Sequence, residues 1–326
     1  MEGPSRVPAK SAYDCRTVPN LYASAPFLDA VAKIYFPTRR CAVEDFNLDG
    51  KAFRLLTVDG RPLVDLQAFL DMNEPLSAAP QDPRLRRLRG LAAVSHGIVA
   101  VDEFRNAACW STFEGAPTII WRGFKDWDEY LDLLRSRRVL AEDQRRRRRL
   151  QEVVGELEFT SDDLRDDVLP TCFCWKSARD RELNRIDRFA QEQTRDFFRE
   201  LRARGLLRAS SLRGDGRLLA IWLGAVFQLR WSGWVFAFDS DASLSKYSLG
   251  RQLLYPMLEE SFRAGQSEFD FSIGFEPYKL FFATHARAIG YLGMPPVGKR
   301  IRRFARDLLK NQPWLYEKAR TLRSRL

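Results

Sequence analysis

Residues 268–279 place side chains that can act as acids and bases directly after a strand-like segment. The stretch reads EFDFSIGFEPYK, and its first four residues alternate polar and apolar, as in a half-buried strand. Beyond Gly274 come Glu276, Tyr278 and Lys279, which bring a carboxylate, a phenol and an ammonium together. Such groups accept and donate protons in enzymes. The chain therefore concentrates candidate catalytic groups where one strand ends.

The segments just upstream must position that strand. They predict an antiparallel meander of three stretches joined by short turns: LLRASSL, RLLAIWLGAVFQLR and WVFAFDSD, with the turns RGDG and WSG. A further helix pattern, Asn184–Arg204, precedes them, with Ile186, Phe189, Phe197, Phe198 and Leu201 at helical spacing.

A helix beginning at Gly250 links the meander to the EFDFSI strand. A strand, a helix and a strand in succession imply that the two strands are parallel neighbours. A helix amino terminus offers unpaired N–H groups to an anion, and glycine allows close approach to the backbone. Ser248, Gly250 and Arg251 are therefore candidate pyrophosphate ligands, although ordinary helix capping explains the serine and glycine equally well.

The upstream half mixes helix-like and strand-like stretches, which favours an α/β module. PFLDAVAKIYF and KDWDEYLDLLRS read as helices, and AFRLLTVDG, HGIVAVDEF and TIIWRGF as strands. Arg145–Arg149 form an unbroken arginine run inside a helical pattern. This run is either a solvated face that links two modules or a phosphate-binding patch.

Composition limits the class of protein. The chain has 326 residues, 45% of them hydrophobic, which suits two domains, and its net charge of +10 favours polyanionic partners. The five cysteines are an odd number without a second pair at metal-ligand spacing, so we expect reduced, mostly buried thiols, no metal and a cytoplasmic protein. The first residues do not resemble a signal peptide, and the longest apolar run, Leu218–Leu229, is too short to span a bilayer.

The stretch YSLGRQLLYPMLEESFRAGQSEFDFSIGFEPYKLFFA resembles a known signature. It is similar to the Y-S-P-G, helix, F-D-F-x-x-G-x-E-x-Y-K pattern of the CelD-like acetyltransferases. These are a branch of the GNAT N-acyltransferase superfamily and are related to the Fem-like peptidyltransferases. PTIIWRGFKDWDEYLDLL and the Trp175, Lys176 pair also resemble this group, so the similarity covers roughly residues 115–295.

Three positions depart from the family pattern. Leu249 replaces a proline, and Ile273 and Phe275 replace charged residues on either side of Gly274. Either the acceptor differs from the common one, or the site is partly degenerate.

The resemblance implies an α/β (α+β) fold with two tandem GNAT-like domains, each a mixed, mostly antiparallel sheet with flanking helices. The expected divisions are a lead-in at residues 1–20, an amino-terminal domain at 21–140, a carboxy-terminal domain with the acyl-donor site at 141–298, and a basic amphipathic helix at 299–326. That last helix either docks on the parent protein or contacts the anionic inner face of a membrane weakly.

The resemblance also implies a donor site between two splayed parallel strands, here Trp234–Phe238 and Glu268–Ser272. The donor would be acetyl-CoA, a longer acyl-CoA or an acyl carrier protein, with its pyrophosphate at Gly250. Trp222 and Trp234 belong to the core or line an acyl channel. The expected donor-binding residues are Tyr247, Ser248, Leu249, Gly250, Arg251, Phe236, Phe271 and Gly274.

Direct N-acyl transfer assigns roles to the polar cluster. Glu276 would act as the base, Tyr278 would donate a proton to the departing thiolate, and Lys279 would stabilise the oxyanion or orient an anionic acceptor. Asp270 and Asp239 are further candidate carboxylates. An ordinary helix start at Pro277 also explains the neighbouring acid.

The sequence thus predicts an N-acyltransferase that modifies an amine of a small molecule, sugar or peptide, with nucleic acid not an expected partner. One alternative is a Fem-like transferase that takes its donor from aminoacyl-tRNA. The other is a catalytically inactive GNAT scaffold that binds polyanions through basic surfaces.

Overall fold

The computed structural model describes residues 20–48, 51–63, 73–74, 77–78, 91–106, 114–137 and 140–292. The helices are α1 (Ala25–Tyr35), α2 (Val101–Asn106), α3 (Trp127–Ser136), α4 (Leu140–Val154), α5 (Val168–Glu182), α6 (Glu192–Ala203), α7 (Leu249–Arg263) and α8 (Pro277–Phe282). The strands are β1 (Cys41–Leu48), β2 (Lys51–Val58), β3 (Arg61–Pro62), β4 (Ser77–Ala78), β5 (Leu91–Ala100), β6 (Glu114–Ile120), β7 (Leu157–Thr160), β8 (Arg208–Gly214), β9 (Arg217–Phe227), β10 (Arg230–Phe238), β11 (Glu268–Asp270) and β12 (His285–Leu292).

These elements confirm an α/β fold with mostly antiparallel sheets and flanking helices. A small sheet contains β1 to β4, and a second sheet of eight strands has the order β5-β12-β6-β11-β10-β9-β8-β7. Every neighbouring pair in the larger sheet is antiparallel except β10 and β11, which are parallel, as the strand-helix-strand pattern predicts.

The larger sheet joins strands from both halves of the chain. β12 pairs with β5 on one side and with β6 on the other, although both precede residue 140. The divisions at 21–140 and 141–298 stay predictions, and any such domains share one continuous sheet.

The meander of β8, β9 and β10 is confirmed, but the predicted WSG turn is wrong. The turn between β9 and β10 is instead formed by Gln228 and Leu229, whose φ angles are 46° and 62°. Two consecutive positive φ values are typical of the tight hairpin turns that match strand twist. Trp231 and Gly233 therefore belong to β10, with a bulge between Gly233 and Val235.

The helix predicted to begin at Asn184 begins later. Asn184 has a φ of 50°, and a short 3-10 turn, Arg188–Ala190, precedes α6. The Asp187 side chain accepts a hydrogen bond from the Ala190 N–H and so caps that turn. Ile186 is consequently 79% exposed rather than part of the apolar face.

Helices cover both faces of the larger sheet. β9 contributes Ile221 and Leu223 to an apolar cluster with α1, α5 and α6, and Ala220 and Trp222 to a second cluster with α3 and α7. Burial on both faces explains why β9 reads as a nearly continuous apolar run.

A buried ion network ties together β10, β11 and β12. Arg287 pairs with Glu74, Glu268 and Asp270, and Arg230 pairs with Glu74 and Glu268. Buried charges of this kind are tolerated only when they are paired. The network therefore holds these strands together at the end where β10 and β11 are in register.

Some sequence predictions concern residues outside the described ranges, namely the lead-in before Asn20, the 299–326 helix, Cys15 and Cys109. Of the cysteines that the structure describes, Cys41, Cys172 and Cys174 are free, but only Cys172 is buried and Cys174 is exposed, so the expectation of mostly buried thiols is wrong there. Within the described ranges, none of the helices combines the length and apolarity needed to cross a membrane.

Candidate active site

The parallel strands β10 and β11 separate close to where the resemblance implies a splay. They pair only at Arg230 with Glu268, Trp231 with Phe269 and Ser232 with Asp270. Beyond these pairs β10 continues to Phe238, whereas the chain after Asp270 stays with β6. There the Phe271 N–H donates to the Pro117 carbonyl at 3.0 Å and the Gly274 N–H to the Gly115 carbonyl at 3.0 Å. Because these N–H groups donate to carbonyls of β6, a gap opens between β10 and the chain after β11.

Side chains near Ser272 hold the gap open. Ser272 has a φ of 64°, and its N–H donates to Asp270 Oδ1 at 2.7 Å. A non-glycine residue in this conformation is strained and is often found at functional sites. Lys279 Nζ donates to the Ser272 and Ile273 carbonyls at 3.3 and 2.9 Å, and lies 3.0 Å from Glu276 Oε2. The buried Lys279 ammonium thus fixes the loop and the side chain of Glu276.

The gap forms part of a cavity of about 900 Å³, large enough for a small substrate. One wall is formed by β10 and another by the chain that follows β11, while α5 and the segment after it close a third side. The lining includes Trp175, Lys176, Trp222, Gly233, Trp234, Phe236, Phe238, Asp239, Phe271, Ser272, Ile273, Glu276, Tyr278 and Lys279.

A second cavity of about 300 Å³ adjoins the first at the amino terminus of α7. Six residues line both cavities: Trp222, Phe236, Phe238, Asp239, Ser245 and Tyr278. Its remaining lining includes four of the predicted donor-binding residues: Ser248, Leu249, Gly250 and Arg251. The two spaces therefore connect the strand gap with a helix amino terminus.

The start of α7 has the features of an anion site. Ser248 has a φ of 57° and its side chain does not cap the helix. A Cβ atom at Gly250 would lie 2.5 Å from Phe236 Cζ, so a larger residue at this position would require the Phe236 ring to move. Helix N–H groups and the helix dipole favour an anion at this position.

Two arginines add positive charge there. Arg146 Nη1 donates to Ser248 Oγ at 2.8 Å, and Arg251 Nη2 donates to the same oxygen at 3.3 Å. Arg251 is also 3.0 Å from Oδ1 of the buried Asp143. Burial raises the pKa of Asp143, and the Tyr255 hydroxyl donates to its Oδ2 at 2.9 Å.

The arginine run therefore fits both alternatives in part: some of its residues lie near the candidate anion site, and the others form a solvated helix face. Arg146 and Arg147 contact α7, the latter through the Gln252 carbonyl at 3.4 Å, whereas Arg145, Arg148 and Arg149 are exposed. Sequence reasoning missed Arg146 as a site residue, although the run itself was the signal.

The candidate acid and base lie together at α8. Glu276 precedes the helix and its side chain is 54% exposed. Burial, together with the nearby Glu276 carboxylate, raises the pKa of Tyr278 well above its ordinary value. Tyr278 therefore keeps its proton across the physiological range and is a hydrogen-bond donor in the cavity.

The two further carboxylates have different surroundings. Asp239 lines both cavities and accepts a hydrogen bond from Arg217 Nε at 3.0 Å. Asp270 is fully buried, burial raises its pKa, and its oxygens accept from Arg287 Nε at 3.3 Å and from the Ser272 N–H. These contacts give Asp270 a structural environment at the base of the gap.

The other predicted positions lie around the site. Tyr247 is buried, and its carbonyl accepts from Gln252 Nε2 at 3.2 Å. Gly274 has a φ of 114° in the loop after β11. Ile273 contributes an apolar surface to the larger cavity, and Phe275 stacks on Phe104 with ring centroids 5.5 Å apart. In the described part of the chain, no group of histidine, cysteine, aspartate and glutamate side chains could hold a metal ion.

Residues 136–280 match the family model described as an acetyltransferase (GNAT) domain. This match identifies a GNAT acetyltransferase domain in that part of the chain, as the sequence predicts, and it supports an acyltransferase. Comparison with curated proteins gives no match.

Solved structures with a similar fold include FemX, with 9% sequence identity, a TM-score of 0.53, and coverage of 85% of this chain and 93% of FemX. A conserved protein of unknown function from Bacteroides thetaiotaomicron has 11% identity and a TM-score of 0.46 over 85% of this chain and 94% of its own. A tandem GNAT protein from the clavulanic acid biosynthesis pathway has 13% identity and a TM-score of 0.35 over 81% and 86% of the two chains. At these identities FemX indicates a shared fold alone, and the two lower scores support no further conclusion.

Proposed function

We propose that the protein is an N-acyltransferase that moves an acyl group from acyl-CoA, or from an acyl carrier protein, to an amine of a small molecule, sugar or peptide. The observation that carries this proposal is the connection between the strand gap and the anion site at α7. A thioester donor has an extended pantetheine arm and a phosphate group at one end, and these two adjoining cavities match that shape and charge.

The phosphate end of the donor would lie at the start of α7. Arg146 and Arg251 already converge on Ser248 Oγ, and both guanidinium groups can rotate towards a phosphate that approaches Gly250. The arm would then pass Phe236 and Phe271, which line the larger cavity, and bring the thioester towards α8.

The reaction follows from the groups at α8. Glu276 would take a proton from the acceptor ammonium, and the free amine would attack the thioester carbonyl carbon. The C–N bond forms, the C–S bond breaks, and the products are an amide and a free thiol. A raised pKa makes Tyr278 better suited to hydrogen bonding to the departing thiolate than to full proton transfer, so the amine supplies the thiol proton.

Lys279 has a different role in this proposal from the predicted oxyanion contact. Its ammonium lies near the Ser272 and Ile273 carbonyls and the Glu276 carboxylate, which together can accept its three N–H donors. It would therefore hold the Glu276 side chain in place beside the acceptor amine.

The experiment is the thermal unfolding of the purified protein in the presence of CoA and a series of acyl-CoA thioesters. A ligand that binds only the folded state stabilises it by about 2.7 kcal/mol at a hundred times its Kd, so the melting temperature should rise by several degrees. The acyl chain length that gives the largest rise in melting temperature would identify the acyl group. No shift with any thioester would contradict the CoA proposal.

A Fem-like reaction with aminoacyl-tRNA is the competing proposal, and the +10 charge suits it equally well. Acyl transfer from a thioester that persists after ribonuclease treatment would exclude it. The cytoplasmic location, and any contact between the helix predicted at residues 299–326 and a membrane, are part of the same proposal and need separate tests by cell fractionation.

A further inference from the structure

The charged side chains that line the larger cavity are nearly all paired with one another or with neighbours. Lys176 pairs with Asp180, Arg179 with Glu182, and Lys279 with Glu276. On the other wall, Asp239 and Asp241 both pair with Arg217. These groups largely neutralise one another.

Arg185 and Arg188 are the exception. Both line the cavity, and within the described ranges neither guanidinium has a carboxylate partner. Arg185 is exposed and Arg188 is half-buried, so both can reach a ligand. An unpaired guanidinium at a cavity wall is a ready partner for a carboxylate or phosphate, which it can bind through two parallel hydrogen bonds.

The segment that carries these arginines is anchored. The Arg185 N–H donates to the Asp180 carbonyl at 2.8 Å, and the Ala190 N–H donates to Asp187 Oδ1 at 2.9 Å. The Ser177 hydroxyl also donates to Asp187. Both guanidinium groups are thus presented from a fixed turn beside α5, which reduces the entropy lost when a ligand binds.

We infer that the acceptor carries an anionic group, a carboxylate or a phosphate, in addition to its amine, and that Arg185 and Arg188 bind this group. The placement of the amine at Glu276 rests on the proposed function. The recognition of the anion rests only on the cavity and its unpaired charges.

The test is a calorimetric titration with two matched pairs of amines, performed with and without saturating CoA. O-phosphoethanolamine is compared with ethanolamine, and β-alanine with 3-amino-1-propanol, so that the two pairs distinguish a phosphate from a carboxylate. We expect the protein to bind at least one anionic amine about tenfold or more tightly than its neutral counterpart.

Variants assign this preference to the two arginines. The double variant Arg185→Ala, Arg188→Ala should lose about tenfold or more in affinity for the anionic amine and nothing for the neutral one. The double variant Arg185→Lys, Arg188→Lys should retain part of the preference for the anionic amine. As a matched control, Arg199→Ala with Arg263→Ala removes the same charge from two exposed arginines that do not line the cavity, and it should bind as the wild type does.

Equal binding of charged and neutral amines, or no binding of any of the four at millimolar concentrations, would overturn the inference. So would a preference that survives the double alanine variant or that is lost equally in the control. If CoA fails to bind but the anionic amine still binds through Arg185 and Arg188, the CoA proposal fails and the anion site stands.

Discussion

Replacement of Arg146 by alanine tests the anion site at α7 directly. The side chain is 30% exposed, and it donates to Ser248 Oγ at 2.8 Å and to Glu142 Oε1 at 3.1 Å. A hydrogen bond to a charged group contributes about 1.5–3 kcal/mol, and partial exposure together with the competing Glu142 contact reduces this figure. We therefore expect a loss of about 1–2 kcal/mol, which corresponds to a Kd for CoA roughly five to thirty times higher.

The assay is isothermal titration calorimetry with CoA, and the chain supplies a matched control. Arg149→Ala removes an equal charge from an exposed position of the same arginine run. Pantetheine, which lacks the phosphates, is the ligand-side control and should bind equally to both variants. An unchanged Kd for CoA in Arg146→Ala would show that this contact does not bind the donor. An equal loss in Arg149→Ala would show that general electrostatic attraction, rather than this contact, binds it.

The remaining predictions concern catalysis and stability. Glu276→Gln should lower kcat/KM by about a hundredfold or more while the Kd for CoA stays constant, and an unchanged rate in a thiol-release assay would remove Glu276 as the base. Arg287→Ala should lower the free energy of unfolding by about 3–5 kcal/mol, because it leaves the buried acids of the β10, β11 and β12 network without this positively charged partner. Urea unfolding measures this loss, and an unchanged free energy would contradict the role of the network. Burial raises the pKa of Asp163, but hydrogen bonds from Arg165 and Ser211 outweigh it and hold that pKa well below its ordinary value. A carboxyl with a depressed pKa stabilises the folded state above its unfolded-state pKa of about 4, and this stabilisation is lost as the pH falls. The difference in free energy of unfolding between wild type and Asp163→Asn should therefore narrow below about pH 4. A constant difference would refute this.

Local patterns made much of the carboxy-terminal half predictable. The strand patterns of β10 and β11, the helix between them and the EPYK cluster depend on neighbours in sequence. They indicated that the two strands are parallel and that Glu276 and Tyr278 follow β11, whereas the splay was implied by the resemblance. The resemblance to a known signature added the chemistry, and the family match over residues 136–280 confirms the class.

Long-range contacts were not predictable in the same way. Nothing local in Glu114–Ile120 indicates that it inserts between β11 and β12, because strand pairing depends on distant partners. Arg185 and Arg188 fall within the helix predicted at Asn184–Arg204, but in the structure they precede α6 and line the cavity. Arg146 became a site residue only through the packing of α4 on α7.

A crystal structure of the protein with CoA bound would show whether the donor occupies the strand gap. We expect electron density for the pantetheine arm between β10 and the chain after β11, past Phe236 and Phe271, with the pyrophosphate at Ser248 to Arg251. Density for CoA at any other place in the molecule, with this gap empty, would contradict the proposed donor site.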